Sequence, residues 1–554
     1  MSTVYKTENT KNTKTTKKTT KKTTKKTTKK TRKNSNDTSL KTKTTKKKKN
    51  VIKKILTHAG YALVKEHFGF RAIHKCKKDL NVKPFVPPDF GTPDSFPIYM
   101  ENTRKIYLPR HYGIKHFGEP DQVKIGNAID IDVEFTGSIR NLPGQDKDQV
   151  APVNAFLDSC KPGTYSSQSY GGIICVPPGS GKTVMALYII SKLKKKTIII
   201  AHIDFLLTQW RDRIKMFLPD ARVGILQQNK IQVKNKDIVI ASLKSLAMKN
   251  YPPEIFKEFG LCVIDECHLT STELYSKAYP KLGCKYTMGL SATPKRKDGL
   301  SKVFQWHLGP ILYNISKRTQ ETGSVVECIQ FNSTNTDYTK LETSNYGKVL
   351  MSRMINNICA YRKRTLFIIE LIQKSIEEGR VIILLSERRG HLEEFYNEVK
   401  ERNICSVGYY VGGMKERALK ESEKKQLILA TYQMAAVGLD IPTLNTIIFA
   451  SPRSEVTQAF GRILRKIDKD MPPKGYDIID NSIQVYSRQF NNRRRIYKRN
   501  KFAYNISKVF DYEDTSVEEL MKQYEDKAPK EQNAPKLLES TLIGKCLLED
   551  SDED

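Results

Sequence analysis

The stretch V-P-P-G-S-G-K-T at residues 176–183 decides the fold of this chain. It follows the apolar residues 171–175, so the sequence predicts a buried strand, a glycine-rich turn and the first turn of a helix. Gly179 and Gly181 have no Cβ, so the backbone amides of the turn can approach a bound phosphate closely. The dipole of the following helix favours an anion at the same place. The stretch therefore predicts a phosphate-binding loop in an α/β domain with a parallel sheet.

Two side chains at the end of this loop supply specific contacts. Lys182 is placed to reach the β- and γ-phosphates of ATP, and the hydroxyl of Thr183 is placed to bind Mg²⁺. Val176 departs from the strict pattern, which has glycine at that position. The predicted ATP-binding residues of the loop are Val176, Pro177, Pro178, Gly179, Ser180, Gly181, Lys182 and Thr183.

The acidic partner of the loop is V-I-D-E-C-H at residues 263–268. Apolar residues lead into two carboxylates, as at the end of a buried parallel strand. Asp265 is then placed to hold Mg²⁺ through water, and Glu266 to orient and deprotonate the attacking water. An exposed acidic turn is the alternative, but the phosphate loop upstream favours an ATP site. Two strands of one parallel sheet would supply its two ends.

Five motifs in order resemble those of the superfamily 2 helicases with a D-E-C-H box. They are P-P-G-S-G-K-T, D-E-C-H, S-A-T-P at 291–294, A-T-Y-Q-M-A-A-V-G-L-D-I-P at 430–442 and Q-A-F-G-R-I-L-R at 458–465. K-R-K-D-G after S-A-T-P and L-L-S-E-R-R-G-H-L at 384–392 are similar to the branch of the eukaryotic excision-repair and transcription helicase and of phage recombination helicases. I-Y-L-P-R-H-Y-G-I at 106–114 resembles helicases of large cytoplasmic DNA viruses, which are similar to the poxvirus transcript-release helicase.

The resemblance implies two tandem RecA-like domains with one ATP between them. In the second domain, buried runs alternate with helical stretches, which is typical of an α/β fold with a parallel sheet, and no second phosphate loop occurs. Arg462 and Arg465 would reach the γ-phosphate as arginine fingers, and Asp440 would complete the nucleotide-binding set. Coupling of ATP state to domain closure is implied for His268, Ser291, Thr293 and Gln458.

Gln149, which precedes V-A-P-V-N-A-F-L, resembles the adenine-reading glutamine of the family. An amide side chain has both a donor and an acceptor, so it can pair with an adenine edge. Gln145 is the competing register, and a surface glutamine without this role is the alternative.

Nucleic-acid contacts are implied on both domains. Ser242 and Lys244 would hold phosphates without reading sequence, and Gly438 would lie in a loop that touches ATP and nucleic acid. Beside this loop, Val437 stands where relatives usually carry glutamate. Basic and aromatic residues interleave over 488–504, which favours phosphate contact and base stacking; a solvated amphipathic helix is the alternative. The contact residues predicted there are Arg493, Arg494 and Arg495.

Composition shifts and motifs divide the chain into six parts. We expect a disordered Lys/Thr-rich tail (1–50), an N-terminal accessory domain (51–135), a first RecA-like domain (136–315), a linker with the first elements of the second domain (316–350), the second RecA-like domain (351–510) and a C-terminal tail with an acidic end (511–554). In the accessory domain, apolar spacing predicts a helix over 51–70, and alternation predicts a strand over 130–135.

Half of the net charge of +35 lies in the first 50 residues, which hold 19 basic and 2 acidic side chains, a net +17. The tail has almost no apolar residues and cannot offset its ordering entropy. It is either a nonspecific nucleic-acid arm or a solvated repeat, and Lys46–Lys49 also resembles a nuclear localisation signal.

The ten cysteines include no C-x-x-C pair, so we predict no zinc site, no disulfides and a reducing compartment. No run of 18 apolar residues occurs, so we predict no membrane span, and the N-terminus lacks the apolar core of a secretory signal. We therefore expect the cytoplasm or nucleus or, for a viral protein, the host cytoplasm, virus factory or virion.

The predicted function is an ATP-dependent helicase or translocase on DNA or RNA, using Mg²⁺ and hydrolysing ATP to ADP and phosphate in viral or cellular transcription or repair. The transcription machinery is a further expected partner. A transcript-release or remodelling factor that separates no strands is one alternative, which the motifs do not distinguish. A nucleic-acid-binding transcription factor with a decayed ATPase is another, and the complete set of Lys182, Asp265, Glu266 and Arg465 argues against it.

Deleting residues 1–50 tests the tail. Fewer phosphate contacts release fewer counterions, so binding to nucleic acid at low salt should weaken and its salt dependence should flatten. ATP turnover at saturating nucleic acid should stay nearly unchanged. Loss of turnover after the deletion would show that the tail is part of the motor.

Overall fold

The computed structural model describes most of the chain after residue 51. The described residues are 52–86, 93–126, 128–145, 147–161, 170–293, 295–315, 324–345, 349–437, 441–454, 456, 460 and 471–527. The predictions for the 1–50 tail, for residues 528–554 and for Gly438, Asp440, Gln458, Arg462 and Arg465 lie outside them. No helix in the described ranges is long and apolar enough to cross a membrane.

The N-terminal region forms a small sheet with the spatial order β5-β6-β2-β1-β7 and two helices. Its elements are β1 Lys54–Thr57, β2 Gly60–Val64, α1 Phe70–Asp79, β3 Asn81–Val82, β4 Phe96–Pro97, β5 Met100–Glu101, β6 Lys105–Leu108, α2 Arg110–Phe117 and β7 Gln122–Lys124. β7 runs parallel to β1, and the other pairs of this sheet are antiparallel.

The helix predicted over 51–70 is wrong, because this segment contains the β1–β2 hairpin and helix α1 begins only at Phe70. Three of the apolar residues that mimic helical spacing, Ile55, Leu56 and Leu63, are buried in the hairpin instead. Gly60, at φ +123, makes the turn possible, and a Cβ there would lie 2.4 Å from the carbonyl oxygen of Leu108. Non-glycine residues rarely adopt this conformation, so the glycine enforces the reversal.

The N-terminal region packs against the first RecA-like domain through buried side chains of both. The two RecA-like domains are called the first and second motor domains below. Arg110 is buried and donates hydrogen bonds of 2.6 and 3.2 Å to the carbonyls of Cys284 and Lys285. The ring of Tyr112 meets that of Trp306 edge-on at 5.2 Å. A shared apolar cluster and paired backbone carbonyls of this kind hold the region to the motor as a docked unit.

The first motor domain contains an eight-stranded sheet with the order β11-β10-β12-β9-β13-β14-β8-β15. Its elements are α3 Val150–Ser159, β8 Tyr170–Cys175, α4 Lys182–Leu193, β9 Thr197–Ala201, α5 Asp204–Phe217, β10 Val223–Gln227, β11 Lys230–Ile231, β12 Ile238–Ser242, α6 Leu243–Met248, β13 Leu261–Ile264, α7 Glu273–Ser276, β14 Tyr286–Ser291, α8 Ser301–Leu308 and β15 Ile311–Asn314. All pairs are parallel except β10–β11.

The central strands of this sheet are continuous apolar runs because helices cover both of their faces. Every residue of β9, β12 and β13 is buried. The strand predicted over 130–135 is wrong: Asp130 makes a single bridge to Lys195, while Ile131 and Val133 are buried in the core without continuing a strand. Alternation in this segment reflects burial against the domain rather than sheet pairing.

The second motor domain contains a seven-stranded, fully parallel sheet with the order β18-β19-β17-β20-β21-β16-β22. Its elements are β16 Val325–Ser333, α9 Thr336–Thr339, α10 Met351–Ala360, α11 Arg362–Glu377, β17 Ile382–Ser386, α12 Arg389–Glu401, β18 Val407–Tyr410, α13 Glu416–Ser422, β19 Leu427–Thr431, α14 Tyr432–Val437, β20 Thr446–Phe449, β21 Lys474–Asp480, α15 Gln484–Arg499, β22 Ala503–Asp511 and α16 Val517–Lys527.

A C-terminal tail beginning at residue 511 is wrong for its first part. Asp511 ends strand β22, which pairs with β16 over its whole length. Helix α16 then buries Leu520 and Tyr524 in the core of the second domain. The second domain therefore extends to at least residue 527, because removing α16 would expose this apolar surface.

A buried ion pair lies inside the second domain. Arg364 on α11 is fully buried and donates to both carboxylate oxygens of Asp480, at 2.7 and 3.1 Å. His391 is buried beside it, 3.1 Å from the hydroxyl of Ser386 and 3.4 Å from that of Thr365. Burial, and secondarily the charge of Arg364, lowers the pKa of His391 to about 3.

This histidine makes the stability of the second domain depend on pH. Between its ordinary pKa of ~6.5 and about 3, the unfolded chain binds a proton that the folded chain does not, so stability falls as pH falls through this window. For this one group we expect a loss of ~2 kcal/mol from pH 6.5 to pH 5, at ~1.4 kcal/mol per pH unit.

The variant His391→Gln should lack this component. The measurement is the urea midpoint of wild type and variant at pH 7 and pH 5, with His74→Gln, at an exposed position on α1, as a matched control. An equal loss of stability in His391→Gln and wild type on acidification would contradict the assignment.

Candidate ATP and nucleic-acid site

The phosphate loop connects β8 to α4, which begins at Lys182. Gly179 and Gly181 have φ values of 84° and 87°, a conformation that favours glycine. A Cβ on Gly181 would also lie 2.1 Å from Nε2 of Gln149. Val176 is buried and donates its N–H to the carbonyl of Ser291 at 3.1 Å. The residue that departs from the pattern is thus part of the strand end, where a side chain is accommodated.

Gln149 and Arg140 hold the loop from below. The amide nitrogen of Gln149 donates to the carbonyl of Ser180 at 3.0 Å, and a guanidinium nitrogen of Arg140 donates to the same oxygen at 2.8 Å. The amide oxygen of Gln149 accepts from the backbone N–H of Arg140 at 2.9 Å. Each end of the amide makes one bond within the protein and keeps a second N–H or lone pair, so these bonds orient Gln149 without excluding an adenine contact. Gln145 remains the other candidate for the adenine contact.

Asp265 follows β13 and is held by two donors. The indole N–H of Trp210 donates to Oδ2 at 3.0 Å, and the backbone N–H of Glu266 donates to Oδ1 at 3.0 Å. Burial, together with the neighbouring charge of Glu266, raises the pKa of Asp265 to about 6, although Lys182 and the Trp210 bond oppose the shift. A positive ion would lower the cost of ionising this carboxyl group.

Glu266 occupies a left-handed backbone conformation, with φ 45° and ψ 52°. For a residue with a Cβ this costs ~1–3 kcal/mol, and such positions concentrate at functional sites. The conformation turns the side chain toward the phosphate loop, where Oε1 lies 3.6 Å from Nζ of Lys182. Both side chains are mostly buried, at 18% and 13% exposure, so this interaction is only weakly screened.

Three of the four predicted coupling residues meet beside Glu266. Nδ1 of His268 lies 2.9 Å from the hydroxyl of Ser291 and 3.4 Å from Oε2 of Glu266. The Ser291 hydroxyl also accepts from the N–H of Thr293 at 3.0 Å. Polar contacts therefore link the carboxylate of Glu266, through His268, to the end of β14. The fourth predicted residue, Gln458, is outside the described part of the chain.

A cleft of about 1190 Å³ separates the two motor domains at this site. The first domain contributes Glu266, His268 and Lys244 to its walls, and the second contributes Arg389 and Arg453 among others. The ring of Phe205 lies 6.2 Å from that of Tyr410 across the domain boundary. Charged groups of both domains thus face one solvent-filled space, which is the arrangement a site shared between domains requires.

The predicted nucleic-acid residues fall into two groups. Lys244 is exposed at the cleft, and Arg495 is exposed on α15. Ser242 is buried, and its hydroxyl accepts from the N–H of Ser245 as the N-cap of α6, so helix capping already uses it. The prediction for Arg493 is corrected: it is buried and bonded to Asp477 at 2.8 Å. Arg494 is partly exposed and remains a candidate.

Two site contacts were missed by sequence reasoning. The hydrogen bond from Trp210 to Asp265 had no local signal because 55 residues separate the two. Arg296 pairs with Asp298 and donates to the carbonyl of His268. The motif K-R-K-D-G pointed to this segment, but only the folded chain shows that it supports the D-E-C-H turn.

The oxygen groups present fit a magnesium ion. Mg²⁺ prefers oxygen ligands and is usually held by one or two protein groups, several waters and substrate phosphates. The carboxylate of Asp265 and the hydroxyl of Thr183 are of this type, and each Asp265 oxygen keeps a lone pair after its single hydrogen bond. In the described residues, no group of three or more His, Cys, Asp or Glu side chains forms a metal cluster.

Comparison with known proteins identifies the class. Residues 145–296 match the family model "Type III restriction enzyme, res subunit", and residues 363–466 match "Helicase conserved C-terminal domain". With the two RecA-like domains and the motifs in order, the chain belongs to the superfamily 2 helicases, and it is an ATP hydrolase that acts on nucleic acid.

Viral proteins are among the relatives. The chain is 34% identical over 472 residues to "Putative ATP-dependent RNA helicase L396" of Acanthamoeba polyphaga mimivirus, covering 83% of this chain and 88% of that protein. It is 30% identical to "Putative ATP-dependent RNA helicase QP509L" of African swine fever virus (isolate Pig/Kenya/KEN-50/1950), covering 58% of this chain and 67% of that protein. It is 26% identical to "DNA 3'-5' translocase XPB2" of Sulfurisphaera tokodaii, covering 54% of this chain and 76% of that protein. The predicted viral and excision-repair resemblances are confirmed.

The position of Glu266 predicts the effect of removing its charge. Glu266→Gln keeps the size of the side chain but cannot accept the proton of water, so ATP should still bind while turnover falls at least ~100-fold. Steady-state turnover and nucleotide affinity are the measurements. Glu273→Gln, which breaks an exposed pair with Lys277 in the same domain, is the matched control. Normal turnover in Glu266→Gln would refute the assignment of the base.

Proposed function

We propose that this helicase hydrolyses ATP to ADP and phosphate at the end of its first sheet, with Glu266 as general base, Lys182 as phosphate ligand and Thr183 with Asp265 as the magnesium site. The observation that carries the proposal is the contact of Glu266 with Lys182 beside Asp265, at a cleft that the second domain also lines. A bound Mg²⁺ would supply charge stabilisation of the phosphates.

The Lys182–Glu266 pair also supports a resting state. At 3.6 Å, the lysine partly neutralises the carboxylate that would otherwise accept a proton from water. An incoming triphosphate is a stronger partner for Lys182 and would draw it away. Glu266 would then regain basicity only when nucleotide is present. His268 is bonded to Ser291, so it would transmit this change to the S-A-T-P segment at the end of β14.

We propose further that nucleic acid and ATP together close the cleft. Lys244 on one wall and the arginines of the other give a strand positive groups on both domains, and a ligand that contacts both would favour the closed state. Arg462 and Arg465, with Asp440, remain proposed ligands of the nucleotide from the second domain, and Gly438, Arg494 and Arg495 proposed nucleic-acid contacts. Gln149 remains proposed for adenine, through the N–H and the lone pair that its bonds within the protein leave available.

Two substrates are compatible with this geometry. The names of the viral relatives favour RNA, and that of the archaeal relative favours translocation on DNA. We propose translocation along a strand as the basic activity, with a place in transcription, and with release of a transcript as the second candidate. Strand displacement of a duplex beside displacement of a third strand from a triplex distinguishes a helicase that opens duplexes from a translocase or release factor that separates no strands, since the latter performs only the second.

Arg465→Ala tests closure. Arginine fingers contribute ~10³–10⁵-fold in related NTPases, so the variant should lose the turnover that nucleic acid stimulates and keep binding of ATP and nucleic acid. ATP turnover is measured with and without DNA and RNA. Arg402→Ala, which removes an exposed arginine that pairs with Glu370 and with the buried Glu398 in the same domain, is the control.

The outcomes separate two errors. Equal stimulation of Arg465→Ala and wild type would refute the arginine-finger assignment alone. No stimulation of the wild type by any polymer would count against the motor itself.

A further inference from the structure

Within two turns, helix α5 contacts the second domain, the interdomain cleft and the buried side of the ATP site. Its first turn places Phe205 against Tyr410 of the second domain. Thr208, one turn later, lines the interdomain cleft. Trp210 then turns inward, where it is 1% exposed and packs with Leu206 and Ile214. One rigid element therefore connects the second domain, the cleft and the buried side of the ATP site.

The inward contact is a hydrogen bond and not only packing. The indole N–H of Trp210 donates to Oδ2 of Asp265 at 3.0 Å, while Oδ1 is held by the backbone of Glu266. An ionised carboxylate has about four acceptor positions, so two remain for a metal or its waters. Trp210 thus fixes which way the carboxylate faces without occupying the lone pairs that a cation needs.

The geometry makes this bond sensitive to small movements. Phe205 and Trp210 are five residues apart, or ~7.5 Å along the helix axis at 1.5 Å per residue. A helix packed on the core moves as one body, so displacement at Phe205 reaches Trp210. Hydrogen bonds of 3.0 Å are lost beyond ~3.5 Å, so a shift of ~0.5 Å is enough to change the contact.

We propose that Trp210 is a positioning residue that holds Asp265 for Mg²⁺ and that α5 transmits the approach of the second domain to this carboxylate through Phe205. The inference rests on the proposed role of Asp265 as a magnesium ligand. It assigns to α5 a function beyond packing, because the side of the helix away from the cleft sets the geometry of the metal carboxylate.

The chain has only two tryptophans, Trp210 and Trp306, which gives the proposal a direct optical readout. In Trp306→Phe, all tryptophan emission comes from Trp210. Excited indole moves electron density from its pyrrole ring to its benzene ring, so an anion at the N–H shifts emission to longer wavelength. Mg²⁺ at Asp265 offsets that anion. ADP with MgCl₂ should therefore shift emission to shorter wavelength, and ADP with EDTA should not.

Identical spectra with and without Mg²⁺ would overturn the positioning role. The same measurement in Trp306→Phe/Asp265→Asn should show no magnesium-dependent shift, because the anion is gone. A persistent shift there would place its origin elsewhere and would also overturn the assignment. Neither result depends on ATP turnover. Failure of the proposed magnesium role of Asp265 is recorded separately, by an unchanged Mg²⁺ requirement for ATP turnover in Asp265→Asn, and failure of the base by Glu266→Gln.

Activity supplies the second test. Trp210→Phe keeps an aromatic ring and removes the donor; a hydrogen bond to a charged group contributes ~1.5–3 kcal/mol, so the Mg²⁺ concentration for half-maximal ATP turnover should rise about 10-fold or more relative to Trp306→Phe. Turnover at saturating Mg²⁺ should fall less than this. An unchanged Mg²⁺ requirement in a folded variant would overturn the proposal. Should Trp210→Phe fail to fold, the fluorescence of Trp306→Phe decides alone.

Transmission is tested at the other end of α5. In Trp306→Phe, adding single-stranded nucleic acid to the Mg·ADP complex should change the Trp210 emission again. Phe205→Ala in the same background should keep the Mg·ADP shift and lose this second change, because the contact with Tyr410 is removed. An undiminished nucleic-acid response in Phe205→Ala would overturn transmission through α5.

Discussion

One lysine and two carboxylates share a largely buried site, and the architecture of the first domain follows from keeping them together. Two adjacent negative charges in a low-dielectric space are unfavourable unless cations and donors surround them. Lys182 and the N–H groups around Asp265 meet part of this need. A nucleotide with its metal would complete it, so the site is built to be most stable when it is loaded.

The parallel sheet brings these groups to one edge. β8 leads into the phosphate loop, and β13 leads into the carboxylates. β14 lies between these two strands in the sheet, although it follows both of them in the chain. Ser291 at the end of β14 accepts from the N–H of Val176 and meets His268. The strand between the two motifs is therefore in contact with both, which gives a physical reason for the position of S-A-T-P.

Most of the two motor domains could be predicted from the sequence, because their strands are continuous apolar runs bounded by helices. The apolar runs T-I-I-I-A and T-I-I-F, for example, form the strands Thr197–Ala201 and Thr446–Phe449. The accessory region was harder, since a hairpin with buried residues on both strands imitates helical spacing. Arg493, on helix α15, was taken for a surface contact because its partner, Asp477, lies on strand β21 and leaves no local signal. Ser242 could not be assigned from the sequence for a similar reason, because a serine that caps a helix and a serine that binds phosphate look the same in a sequence.

The account depends on the two domains closing around ATP and nucleic acid together. Fluorescent dyes on cysteines introduced at the exposed positions Lys234 and Lys400 would report the distance between the first and second domains. In Glu266→Gln, energy transfer should rise most when a non-hydrolysable ATP analogue and a single strand are both present, and less with either alone. Equal transfer in all four conditions would contradict a cleft that closes on its substrates.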